Sequence, residues 1–166
     1  MDTHAIRRGA VAGAAGGMAM AMWSMIVLAA TGDGFWRPVN LIAHLGWSSA
    51  PLDGSFSAGA LAIGLMAHMA LAMMLGVAIS LIAARFDGGT AATLLISMGV
   101  AMAAWIGGAI VWNAIDSQGF DAFTPWVLAT GRLMYGMAAG AVLITFEHLH
   151  RDDVATVPPQ QRVAAA

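Results

Sequence analysis

Four stretches of the chain, 9–30, 57–84, 90–115 and 123–146, hold no aspartate or glutamate and a single arginine among them. Nothing else limits the fold so strongly. Each is long enough to cross a hydrocarbon core about 30 Å thick, which takes about 20 residues of helix. Inside lipid every backbone amide and carbonyl must be satisfied within the segment, so runs of this kind are helices. The predicted fold is an all-α integral membrane protein. Residues 1–150 form a compact bundle of four transmembrane helices, and 151–166, with Pro158-Pro159, form a flexible cytoplasmic tail. Composition agrees: 10% of the residues are charged, against about 25% in soluble domains.

The first run follows the polar head MDTHAIRR and is longer than the apolar core of a signal peptide, so it is expected to remain as a span. The loop 31–56 carries Pro38 where a helix can start. Leu41, Ile42 and Leu45 then share one face, with Asn40 and His44 on another. That pattern predicts a short amphipathic helix lying at the membrane surface in the first outer loop. Arg85-Phe86-Asp87-Gly88-Gly89 is a tight turn, and Pro125 opens the fourth helix. With four spans both termini share a side. Arg7, Arg8, Arg85, Arg151 and Arg162 fall there and Arg37 alone falls opposite, so the positive-inside rule places both termini in the cytoplasm. The expected location is a bacterial inner membrane, since arginine without lysine beside abundant Ala and Gly suggests a GC-rich bacterial genome.

Association of helices in lipid rests on close packing and interhelical hydrogen bonds. Small residues recur every fourth position: Gly9, Gly13, Gly17 and Ala21; Gly99, Ala103 and Gly107; Gly136 and Gly140. The second span has the longest row, Ala60, Gly64, His68, Ala72, Gly76, Ser80 and Ala84. These are the expected packing ridges, and they exceed what one small bundle needs, so some are expected to dock another subunit or a second copy.

Two strongly polar side chains lie deep in the spans, His68 and Arg132. At about 1.5 Å per residue they sit at similar depths, about 15 and 12 Å below the outer end. An ionisable group inside a membrane marks a candidate site. Arg132 has two readings. It snorkels outward to Asp116 or Asp121, or it holds an anion, lipid headgroup or quinone oxygen together with His68, Tyr135, Asn113 or Ser24. His68 likewise is either a neutral imidazole bonded to a neighbouring helix or a ligand to haem b, copper or quinone. A haem held by two histidines needs a second intramembrane histidine, and the spans contain none, so any haem would be shared with another subunit.

Thirteen methionines form a third signal. Met18, Met22 and Met25 share a helical face, Met66, Met69 and Met73 surround His68, Met98 pairs with Met102 and Met134 with Met137. Thioethers with an imidazole suit Cu(I). The spacing resembles the MxxxM element of copper transporters of the Ctr type, which would make His68, Met66, Met69 and Met73 a metal set; the chain lacks that family's three-span layout and Met-rich outer domain. Methionine also fills gaps in apolar cores, which is the simpler account.

Other chemistry finds no support. There is no cysteine, hence no disulfide, thiolate cluster or cysteine nucleophile, and no lysine for a Schiff base. The spans have no carboxylate relay for ion coupling. A net charge of −2 offers no basic patch to nucleic acid. The expected function is non-catalytic: an accessory or structural subunit of a larger membrane assembly, without a cofactor of its own. The alternatives are a redox-linked subunit binding quinone or haem b near His68 and Arg132, and a Cu(I) or small-solute conduit.

Overall fold

A computed structural model describes residues 3–86 and 88–156. The described residues form helices joined by turns and loops, with no strand. The elements run α1 (Thr3–Ala30), α2 (Arg37–His44), α3 (Ala58–Ala83), α4 (Gly89–Ile115), α5 (Ser117–Asp121) and α6 (Pro125–Thr156). α1, α3, α4 and α6 are each long and apolar enough to cross a membrane. The expected span boundaries at 57–84 and 90–115 fall within a residue of α3 and α4. α1 starts six residues before 9 because the polar head continues the helix, and α6 runs past 146 through charged helix-forming residues. The remainder of the expected tail, including Pro158-Pro159, lies outside the described residues, as does Asp87 in the turn before α4.

α1 is the central helix, packed against α3 on one side and α6 on the other, and α4 joins through α6. Glycine makes the first contact possible. A β-carbon at Gly9 would lie 2.6 Å from Val77 Cα, and one at Gly76 would run into the backbone of Gly9 and Gly13. Gly17 abuts Ala72, and Ser80 Oγ donates to Ala5 O at 2.9 Å. The α3 row is buried from Ala60 to Ser80 except for His68, which is half-buried; it then drifts off the interface, leaving Ala83 buried and Ala84 exposed. Gly136 packs on Met98 and Gly140 on Ser97 across the α4–α6 contact.

The expected ridge on α4 does not pack within the chain. Gly99, Ala103 and Gly107 are exposed, and a β-carbon at Gly99 or Gly107 would meet nothing within 4 Å. Thr93, Ser97 and Ala101 form the buried face instead. All three lie in the first half of α4, so from Met102 onward the helix buries no residue. Gly64 also serves a different partner: its open side receives Val39 of α2, with Val39 Cγ1 2.8 Å from where a β-carbon would stand.

α2 sits at the end opposite the termini, and it is covered on both of its expected faces: Leu41 is fully buried, and so are the polar residues expected to face water. Asn40 is 1% exposed and His44 8%. Asn40 Nδ2 donates to Ser55 O at 2.8 Å, and His44 Nδ1 lies 2.6 Å from Asp116 Oδ2. A carboxylate only accepts, so Nδ1 carries the proton. Arg37 bridges the same end, donating to Asp33 Oδ1 at 2.6 Å and to Ala122 O at 2.8 Å. The loop crossing at Gly34 and Gly54 demands glycine, with φ of +99° and +77° and each backbone filling the other's side-chain space.

Asp116 caps α5 through the Gly119 amide at 2.9 Å. Burial pushes its carboxyl up, but the Gly119 amide and His44 pull it down by more, and the Trp112 indole adds a weaker pull without forming a hydrogen bond of normal geometry. The net position is below the usual carboxylate range. The folded state therefore gains from ionised Asp116 at any pH above about 3.9, the unfolded value, and loses that gain as pH falls through the lower folded value. In an acid titration followed by tryptophan fluorescence, the α2–α4 junction is expected to loosen only below that point, and Asp116→Ala to remove the transition.

Candidate functional site

A cleft of about 350 Å³ lies between α3, α4 and α6, beside the half of α4 that buries no residue fully. His68 and Leu71 line it from α3, Trp105 and Trp112 from α4, and Arg132 and Tyr135 from α6. Ile42 and Leu45 of α2 and Phe120 of α5 close the end away from the termini. Trp112 is fixed there edge-on against Phe123, 5.0 Å between ring centres. Leu71, Val111 and Ile115 on the rim are all more than half exposed, so the cleft opens on the flank of the molecule. Gly107 and Gly108 line the α4 side, which gives the expected packing glycine Gly107 a different role: it keeps the wall thin.

Tyr135 is 1% exposed and donates from Oη to Ala72 O at 2.6 Å, tying α6 to α3. Its ring fits against Gly16, where a β-carbon would lie 2.9 Å from Cδ2. Gly16 stands outside the four-spaced row of α1, so its part was invisible in that pattern. Tyr135→Phe keeps the ring and loses the bond; a loss of about 1 kcal/mol is expected in a chemical denaturation series.

His68 Nε2 is 2.9 Å from Gly17 O. A backbone carbonyl only accepts, so Nε2 carries the proton and Nδ1 keeps its lone pair. The imidazole stands between the cleft and a second, apolar cavity of about 200 Å³ bounded by α1, α2 and α3. Arg132 behaves differently. It reaches neither Asp116, which is held by His44 and Gly119, nor Asp121, which is exposed on α5. Its Nε is buried without a partner.

The structure brings together three of the expected ligand-binding residues, His68, Arg132 and Tyr135. Asn113 is exposed and does not line the cleft. Ser24 is buried beside Gly131 and faces the second cavity. The expected metal set does not converge: Met66 is 67% exposed and Met73 38%, both turned outward, while Met69 lies with its sulfur toward Gly17. Among the described residues no three His, Asp or Glu gather as a metal site. His68 Nε2 is already committed, which leaves only Nδ1 to meet haem or copper. Chemically the cleft offers one fixed cation, one free imidazole lone pair and extensive apolar wall.

Comparison with family models, with curated proteins and with solved structures finds no match to this chain.

Proposed function

We propose that the protein is a non-catalytic subunit of a bacterial inner membrane, lying as a compact four-helix bundle with both termini in the cytoplasm, and that it holds an amphiphilic molecule in the α3–α4–α6 cleft. One observation carries this reading: an apolar cleft open on the flank contains an arginine without a hydrogen-bond or ion-pair partner among the described residues. A water-filled active site would need access from an end and a set of proton-transfer groups. A laterally open, apolar-walled cleft suits a molecule that arrives from the bilayer with its chain along the helices and its head on Arg132. The orientation rests on Arg7, Arg8 and Arg85 at the terminus-bearing end against Arg37 at the other, where Asp33 already neutralises it. α2 then lies in the outer headgroup layer with its polar groups turned inward. Lipid and quinone both fit this description; haem b requires an axial ligand from another subunit.

Native mass spectrometry of the protein in a mild detergent tests it, with absorbance read on the same sample. The wild type is expected to retain an amphiphile, and Gly108→Trp, whose β-carbon meets nothing within 4 Å and whose ring would take up space in the cleft, to lose it. An unliganded wild type, or equal retention in Gly108→Trp, would overturn the reading. A Soret band would move the assignment to haem.

A second reading, an accessory subunit docked to a larger assembly, draws on the exposed glycines Gly99 and Gly107 of α4. A strictly solitary monomer in the same spectra would count against it.

A further inference from the structure

We infer that the occupant of the cleft is an anion, a carboxylate or phosphate carried on an acyl chain, with Arg132 as its counter-charge. The inference rests on the reading of the cleft as an amphiphile site and adds the charge of the head.

A guanidinium stays protonated in any protein environment. Arg132 is half-buried, lines an apolar cleft and takes part in no hydrogen bond or ion pair among the described residues. Among the described residues no acid pairs with it. Asp33 is on Arg37, Asp116 is on His44 and Gly119, and Asp121 is out on α5. The span sequences contain no Asp or Glu. Its polar neighbours Tyr135 and His68 turn to Ala72 O and Gly17 O, and neither is hydrogen-bonded to the guanidinium. A charge left in this state costs several kcal/mol, and an opposite charge at hydrogen-bond distance recovers the cost far better than a dipole does. A quinone carbonyl offers only the dipole. An oxyanion offers the charge and two oxygens matched to the guanidinium fork. The walls specify the rest. Leu71, Trp105, Val111 and Ile115 provide apolar wall for a chain beside Arg132. The free Nδ1 of His68 accepts from a hydroxyl on the head, a contact that a glycerol headgroup can make and a fatty acid cannot.

The full chain, in a mild non-ionic detergent at alkaline pH, is offered equimolar pairs and read by native mass spectrometry: palmitate against hexadecanol, and phosphatidylglycerol against the uncharged diacylglycerol of the same chains. Wild type is expected to retain palmitate over hexadecanol, or phosphatidylglycerol over diacylglycerol, by about tenfold or more, as a charge-assisted hydrogen bond supplies. The pair that shows the preference identifies the source as free fatty acid or phospholipid. Arg132→Gln should abolish the preference and Arg132→Lys should keep part of it. Equal retention within both pairs by wild type overturns the anion while leaving an amphiphile in the cleft. No adduct at all, or adducts undiminished in Gly108→Trp, overturns the cleft reading itself. The wild-type competition decides even where Arg132→Gln does not fold.

Discussion

Gly13→Val is expected to destabilise the protein by about 3 kcal/mol or more, at the upper end of what overpacking costs. The new side chain would enter the backbone of α3, overlapping Ala72 O and lying 2.9 Å from Met73 Cα at its first carbon. No flexible side-chain end stands there to swing away. α1 and α3 must separate, and the separation weakens what depends on their spacing: the His68–Gly17 bond and the Gly76 contact with Gly9. Denaturation in mixed micelles, followed by helix content, measures the effect. Gly99→Val, whose β-carbon meets nothing within 4 Å, is the matched control and should change stability by no more than about 0.5 kcal/mol. Equal stability of the two variants would show that the α1–α3 approach is not what holds these helices together.

The second large effect belongs to Gly64→Leu, and it should be local. The leucine would occupy the place of the Val39 backbone and push α2 off α3. α2 has eight residues, too few to persist as a helix without packing. Once unseated it would pull Asn40 from Ser55 and His44 from Asp116. Hydrogen exchange is the suitable measurement. Protection is expected to fall by at least about a hundredfold over Arg37–His44, which corresponds to roughly 3 kcal/mol, while α1, α3 and α6 keep theirs. Unchanged protection in α2 would mean that its anchorage lies elsewhere, in Arg37 and the loop.

These variants mark the boundary between what was legible in the residues and what was not. The four long helices follow from uninterrupted apolar length, because lipid permits no other backbone arrangement. The faces do not follow, because a small residue is equally compatible with a neighbour, a cleft or bare lipid. Gly13 and Gly107 occupy similar patterns; one is pressed against a carbonyl and the other faces open space. Gly16, which seats Tyr135, breaks the four-residue spacing that was followed. α2 shows the same limit in another form. Its polar side chains were expected to seek water, but Asn40 and His44 found partners in Ser55 and Asp116, and no local pattern announces a partner 72 residues away. At the candidate site, His68 and Arg132 were legible as rare polar groups in apolar spans. That both line a single cleft depends on how α3, α4 and α6 are set against one another, with Trp105 and Trp112 of α4 in its lining, and no local pattern reveals that.

The glycine contacts have one further consequence. In several of them the missing side chain points at a carbonyl oxygen: Gly9 at that of Gly76, Gly76 at that of Gly9, Gly13 at that of Ala72, Gly16 at that of Tyr135, Gly64 at that of Val39 and Gly136 at that of Ser97. What stands in the place of each β-carbon is a Cα hydrogen. The helices are therefore stitched by weak Cα–H···O bonds, reciprocal between Gly9 and Gly76, each contributing about 0.5–1 kcal/mol. Such bonds need no polar side chain and leave no polar group facing lipid. A chain with so few charged residues can in this way hold its helices in register through the backbone.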